Sequence, residues 1–437
     1  MPRGRAGASC LPAAIACCLA LGACGGAHGH HHTAVRARPG PPKPQILDIY
    51  SSLPLVGPAA AEGVALSDGM RLALSESNGR AGQFVIRYRP LDDARRRHGA
   101  WDASATAANA RRAVTDPSTV FYLGDADSAA TQVSLPLLNA AGIPQLSPAS
   151  TYVGLTERVP GVSGPNEPSR FYPSGLRTFA RVIPNDAVQA AAGLMALHEA
   201  GCSRLAIART GAPGGYGAGL AQLISLQRSD YGMTIVSDAG VSAKATNLRL
   251  YAATLRARGA GCVAIMGSDH ASAVALADAV HVVLPAAKIL APDRLCDRAW
   301  TDFRAGGVEP VVDPVLICTA PYAAFSAYPG GSRFLAGWRG LYGAALPPGP
   351  YAIYGYVAMR IALDTIAQLG RSGDDRDALI RAIFSGRVRD TVLGQLAFDR
   401  EGDTDLRSYG LYRVGADGEP QFARLLVPPR VYAGAPS

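Results

Sequence analysis

Lysine is nearly missing from this chain of 437 residues: Lys43, Lys244 and Lys288 are the only ones. The formal charge of +8 is therefore almost wholly arginine. Its short clusters, Arg95-Arg96-Arg97 and Arg111-Arg112, carry no interleaved aromatics, so they read as solvated surface and no nucleic-acid partner is expected. Aromatics make up 7% and charged residues 17%, against 48% apolar residues, which is the usage of a chain with large cores and not of a disordered one. The length allows about two to three domains. Glycine and proline are plentiful, 49 and 32, which excludes a coiled coil and favours many short elements joined by turns. Beyond the amino terminus no apolar run reaches membrane-spanning length, since Ala271 to Pro292 is interrupted by Asp278, His281 and Lys288.

Signatures of catalysis are missing as well. There is no GxxxxGK phosphate loop, no HExxH, no GxSxG elbow, and no CxxC pair after residue 24. The glycine-rich stretch from Gly211 to Gly219 would need a further glycine to complete a dinucleotide loop and has Leu220 there. Asp399, Glu401, Asp403 and Asp405 alternate like calcium ligands, but Thr404 replaces the turn glycine and Gly410 the closing glutamate. They read as a charged hairpin turn. No enzymatic activity, cofactor or metal is expected.

What is present begins at the amino terminus. Arg3 and Arg5 precede an apolar run from Leu11 to Leu21, then Gly22, Ala23 and Cys24, which is the layout of a secretory signal. Leu21-Gly22-Ala23-Cys24 also resembles the lipobox of bacterial lipoproteins. That resemblance implies removal of residues 1–23 and lipid chains on Cys24, holding the protein to the outer face of a membrane. Residues 24–44 are rich in Gly, His, Arg and Pro and read as a tether. Its His28, His30, His31 and His32 have no fixed second shell, so any metal binding there is adventitious.

From residue 45 strand-length apolar runs alternate with helix-like segments. Strands are expected at 45–50, 83–91, 119–124, 205–209, 234–237, 262–267, 288–291 and 315–319. Helices are expected at 61–78, 103–114, 129–141, 187–200, 219–230, 248–259 and 271–283. Such alternation predicts an α/β fold of parallel sheets, and the strand count exceeds one modest sheet, so two doubly wound lobes are expected. Ligands in open α/β sheets bind at the carboxyl ends of the strands, which places a site in the cleft between facing lobes. The four late cysteines fit this layout. Cys202 and Cys262 fall at the same end of neighbouring strands in a 2-1-3-4-5 order, as do Cys296 and Cys318 in the next pair. Disulfides Cys202–Cys262 and Cys296–Cys318 are expected in an oxidising compartment, one of three possible connectivities, with four free thiols the alternative.

A set of ordered segments then resembles a known family. They include Tyr50-Ser-Ser-Leu-Pro-Leu-Val-Gly57, Glu62-Gly63, Leu91-Asp92-Asp93, Gly124-Asp-Ala-Asp-Ser128, Ser147-Pro-Ala-Ser-Thr151, Arg181-Val-Ile-Pro-Asn-Asp186, Tyr216-Gly217, Leu290-Ala-Pro-Asp293 and Gly394-Gln-Leu-Ala-Phe-Asp399. Together these resemble the type 1 periplasmic-binding family, specifically the branched-chain amino-acid (leucine/isoleucine/valine) binding class of ABC-transporter solute-binding lipoproteins. The resemblance runs from about residue 45 to 430. It implies two lobes joined by three crossovers near Pro184, Pro321 and Leu396, with residues 45–184 plus 321–396 in lobe 1 and 185–320 plus 397–432 in lobe 2.

The resemblance also implies a ligand site, residue by residue. Ser128, at the start of a helix, offers a hydroxyl and neighbouring N–H groups to a carboxylate, or is a plain helix cap. Ala149, Ser150 and Thr151 match the loop that supplies backbone and hydroxyl contacts. Tyr216 matches a tyrosine that closes over the ligand, and Asp186 and Asp293 stand where carboxylates meet a ligand ammonium. Asp269 replaces a frequent aromatic, and Asp127 would repel a carboxylate beside Ser128, so the ligand is set only as a small polar solute, an amino acid or amide-like compound. The function implied is an extracytoplasmic receptor that delivers this solute to an ABC permease in the membrane. A ligand-sensing module using the same cleft is the alternative.

Overall fold

The computed structural model describes residues 45–94, 101–211, 214–242 and 247–432. The signal, Cys24, the His-rich tether and Arg95-Arg96-Arg97 lie outside the described residues.

Two sheets form the two lobes. The first contains β1 (Ile46–Leu53), β2 (Arg80–Ala81), β3 (Phe84–Asp92), β4 (Thr119–Gly124), β5 (Gln145–Ser147) and β6 (Phe179–Arg181), in the order β2-β3-β1-β4-β5-β6. All its pairings are parallel except the short β2–β3 hairpin. The second contains β7 (Arg204–Arg209), β8 (Thr234–Gly240), β9 (Cys262–Met266), β10 (Lys288–Ala291) and β11 (Leu316–Ala320). After the separate hairpin of β12 (Arg389–Thr391) and β13 (Gly394–Leu396), it gains β14 (Tyr409–Val414) and β15 (Pro420–Leu426). Its order is β15-β14-β11-β10-β9-β7-β8, parallel from β8 to β11 and antiparallel at β14 and β15.

Burial explains the strands. β4, β9 and β11 are buried along their whole length, as strands covered by helices on both faces must be, and they read as continuous apolar runs instead of alternating ones. The first core packs β1, β3 and β4 against the helices Ala60–Glu76 and Ala352–Leu369, with Leu66, Met70, Tyr354 and Ile361 fully enclosed. The second lobe packs a helix layer on each face of its sheet. One layer is built on Asp186–Glu199 and Tyr216–Gln227, the other on Leu248–Ala257 and His270–Val283. The chain leaves the first sheet after β6, returns after β11 to build the helices Gly331–Tyr342 and Ala352–Leu369, and leaves again after β13. No helix among the described residues is long and apolar enough to cross a membrane.

Cys202 and Cys262 are joined at the amino-terminal ends of the adjacent β7 and β9, and Cys296 and Cys318 bridge the loop after β10 to β11. Their Cα atoms are 6.2 Å and 5.6 Å apart, within the usual span of a bridge. Two glycines set close approaches. A Cβ on Gly63 would stand 2.0 Å from the Pro54 carbonyl oxygen, and one on Gly217 would stand 2.4 Å from that of Met266. Gly63 therefore lets the first helix seat its amino end against the loop after β1, and Gly217 lets the helix Tyr216–Gln227 start against the end of β9.

Candidate functional site

The carboxyl ends of β4, β5, β6, β7, β9 and β10 converge on a cavity of about 580 Å³. Its walls come from both lobes: Asp127, Ser128 and Thr151 on one side, Tyr216, Asp293 and Arg294 on the other. A second depression of about 590 Å³ is lined by the first lobe alone, between the helix Ala352–Leu369 and the start of the β12–β13 hairpin. The interlobe cavity is the one whose shape changes if the lobes move.

On the first lobe, Ser128 opens the helix Ser128–Ala140, but the cap is Asp127, whose carboxylate accepts the Ala129 N–H at 2.8 Å. The Ser128 hydroxyl is turned to the neighbouring loop, accepting the N–H groups of Thr151 at 3.0 Å and Tyr152 at 3.1 Å. Ala149 and Thr151 line the cavity. Ser150 does not: it is fully buried, 2.6 Å from the Thr131 hydroxyl, and it donates to the Asp125 carbonyl at 3.0 Å. Its place in the loop is structural. Beneath it the fully buried Arg181 pairs with Asp403 and donates to the carbonyls of Ser150 and Tyr152 at 3.1 and 2.8 Å.

Asp186 stands where the chain enters the second lobe, at the first turn of Asp186–Glu199, with its N–H donating to the Thr151 carbonyl at 2.9 Å. Only 6% of it is exposed, and its Oδ1 has no hydrogen-bond partner. Burial pushes its carboxyl up to about 6; the Thr151 side chain opposes this and Asp293 adds to it. Tyr216 is the first residue of its helix, not a free loop residue, because the chain turns helical directly after Gly215. Its hydroxyl donates to Asp293 Oδ1, and Gln189 donates to that same oxygen at 2.8 Å. Burial and the Asp293 charge hold the Tyr216 hydroxyl well above its ordinary range, so it stays a proton donor. Asp269 points elsewhere: it caps the helix His270–Val283, accepting from the Ser272 hydroxyl at 2.6 Å, and its neighbour Ser268 lines the cavity instead.

Sequence reasoning did not name Glu62, Glu167, Arg294 or Tyr351 as site residues, although Glu62-Gly63 belongs to the family resemblance; all four line the cavity. Glu62 sits in the first turn of Ala60–Glu76, where burial pushes it up to about 7 against the pull of Arg294. Glu167 accepts from the Tyr152 hydroxyl at 2.6 Å and pairs with Arg170 at 2.8 Å. Tyr351 packs edge-on against Tyr322 with ring centroids 5.2 Å apart. Arg294 crosses the cleft to Asp127. Outside the cavity, Glu157, Asp399 and Asp403 bring carboxylate oxygens within 4.8 Å of one another. Asp403 is engaged by Arg181 there, and Asp399 accepts three backbone N–H groups of its own turn.

The chain is similar to proteins of known role. A Leu/Ile/Val-binding protein of Rhizobium johnstonii is 24% identical over 367 residues, which cover 82% of this chain and 89% of that protein. A leucine-binding protein from Thermotoga maritima has the same fold at a TM-score of 0.66, with 20% identity over 87% of this chain and 99% of that one. A solute-binding protein of an ABC transporter from R. palustris, solved in complex with benzoate, has a TM-score of 0.64 and 15% identity over 88% and 97%. A substrate-binding protein from Desulfitobacterium hafniense, solved in complex with leucine, has a TM-score of 0.67 and 20% identity over 87% and 100%. A model of periplasmic binding proteins matches residues 51–419, and the chain belongs to that family of solute-binding proteins.

Proposed function

We propose that the protein is the extracytoplasmic receptor of an ABC importer, capturing a small polar solute between its lobes and delivering it to a membrane permease. The observation that carries this reading is the cavity itself, walled from both lobes at the carboxyl ends of their strands. A ligand touching both walls stabilises the closed arrangement, and closure is what lets a permease tell a loaded receptor from an empty one. The family and the curated Leu/Ile/Val-binding relative support receptor over enzyme. Attachment through lipid on Cys24, and the placing of Ser128, Ala149, Thr151, Asp186, Tyr216 and Asp293 as ligand contacts, are part of the proposal.

Isothermal titration against amino acids and their amides, paired with small-angle scattering, tests it. A ligand in the panel should bind and lower the radius of gyration. Absence of binding across amino acids, amides, amines and aromatic acids would sink the reading. The mass of the mature amino terminus checks the anchor: it should correspond to a chain beginning at a lipidated Cys24.

A further inference from the structure

The cleft carries more acidic than basic side chains. Glu62, Asp127, Glu167, Asp186 and Asp293 line it, and among the described residues Arg294 is the one basic side chain that does. Glu167 is matched by Arg170 and Asp127 by Arg294. No ion pair engages Asp186 or Asp293 among the described residues, although their charges act on each other.

The backbone donors of an anion seat at Ser128 are taken up from within, which leaves the Ser128 O–H proton to donate there. The Ser128 oxygen already faces two N–H groups of the loop 151–152, and the Ala129 N–H at the helix end is held by Asp127. A ligand carboxylate placed there would lie against the Asp127 carboxylate, and like charges in a partly desolvated site repel strongly. The demand for a donor is on the other side. Asp186 lines the cavity, and its Oδ1 is buried and unpartnered, which is an unfavourable state for such an oxygen. An N–H of a bound cation relieves it. Tyr152, Tyr216 and Tyr351 line the same space, and aromatic rings attract cations to their faces. The volume of about 580 Å³ suits a small organic molecule and far exceeds that of a single inorganic ion. The cleft already accepts a guanidinium of its own chain, since Arg294 sits within the field of Glu62, Asp127 and Asp293.

We propose that the cleft takes an organic cation bearing N–H donors, a primary amine or a guanidinium compound without a carboxylate, with its nitrogen held at Asp186 and Asp293. This narrows the receptor reading and rests on it. Because the unpartnered oxygen needs an N–H, a quaternary ammonium of similar charge is a poor ligand.

The test is calorimetric titration of the full mature chain with putrescine, agmatine, argininamide, choline, leucine and benzoate. At least one of the first three should bind about tenfold or more tightly than choline, leucine and benzoate. Asp186→Asn and, separately, Asp293→Asn should each weaken that ligand by about 10- to 100-fold, the worth of a charge-assisted hydrogen bond. Thermal unfolding of both variants reports whether they fold. Tight binding of leucine or benzoate with weak binding of the amines overturns the cation and leaves the receptor standing. No binding by any of the six overturns the cation, and extending the absence to the amino-acid and amide panel overturns the receptor as well. A binding amine whose affinity neither variant changes also overturns the proposal, because its nitrogen then sits elsewhere.

Discussion

Arg294, on the loop that follows β10 of the second lobe, places its Nη2 3.5 Å from Oδ2 of Asp127, the cap of a first-lobe helix. The pair joins the two walls of the cavity, so separating the lobes breaks it. With the arginine side chain 41% exposed, water competes for both partners, and the contact is worth well under the Coulomb energy of a buried pair.

Arg294→Gln should therefore shift the ligand-free protein toward the open form by no more than about fivefold, matching the roughly 0.2–1 kcal/mol of an exposed pair. Spin labels on the two lobes would report this as a larger fraction of long distances. The same variant removes a positive charge from the cavity, so a cationic ligand should bind more tightly to it. Unchanged distances would mean that Arg294 does not bridge the lobes in solution.

Two buried carboxylates behind the cavity make the fold acid-preferring. Asp93 and Asp125 are 1% and 0% exposed, and burial pushes them up to about 8 and about 7, with the Asp125 charge adding at Asp93 and the Asp127 charge adding at Asp125. Carboxyls raised in the folded state contribute stability that is full below their unfolded value near 4 and is lost as pH rises through the folded one. Glu62 and Asp186, raised to about 7 and about 6, act in the same direction. Urea unfolding should show a more stable protein at pH 5.5 than at pH 8.5, and Asp93→Asn should narrow the gap by on the order of 1–2 kcal/mol. A profile that rises toward alkaline pH would contradict this account.

Arg181 joins the cavity loop to the last crossing between the lobes. Its guanidinium is fully buried and engages Asp403, Thr156 and two loop carbonyls. Arg181→Met strands the Asp403 carboxylate and releases the carbonyls of Ser150 and Tyr152, so it should cost about 3–5 kcal/mol, far more than Arg294→Gln. Denaturant titration of the two variants side by side is the check; equal, small losses would show that the buried pair adds nothing beyond a surface contact.

Much of this architecture is legible in the sequence because its strands are short apolar runs between turns. The runs at β4 and β10 have the bounds their residues suggest, Thr119–Gly124 and Lys288–Ala291, and the other expected strands shift by a few residues at their ends. The helix Ala352–Leu369 is hard to read because it is buried on nearly every side, which erases the polar stripe that marks an amphipathic helix. The cavity residues named from the sequence follow strand ends, but Ser268 and Arg294, equally close to the ends of β9 and β10, were not among them. Tyr351 and Glu62 come from helix starts remote in sequence from the loops they face; no local pattern marks Tyr351, and the Glu62-Gly63 resemblance carries no sign of a cavity role. Asp269 misleads for a local reason: with Ser272 three residues on, its carboxylate is satisfied by capping its own helix. Arg294 had one signal, its adjacency to Asp293.

The two disulfides should separate stability from binding. In the chain-entropy account a bridge stabilises by restricting the unfolded chain, more so for longer loops. Cys202–Cys262 spans 60 residues and Cys296–Cys318 spans 22, so removing them should cost about 4 and about 3 kcal/mol respectively. Their positions point the other way for function. Cys202 and Cys262 lie at the amino-terminal ends of β7 and β9, across the sheet from the cavity, whereas Cys296 ends the turn that carries Asp293 and Arg294. The double variant Cys202→Ala/Cys262→Ala should be the less stable yet bind ligand as the parent does. Cys296→Ala/Cys318→Ala should lose less stability but weaken binding severalfold, because the Asp293 carboxylate is then held by Tyr216 and Gln189 alone. Denaturant unfolding and titration of both variants decide it: if the first pair controls affinity and the second does not, the loop after β10 is rigid without its bridge and the assignment of Asp293 as a held contact fails.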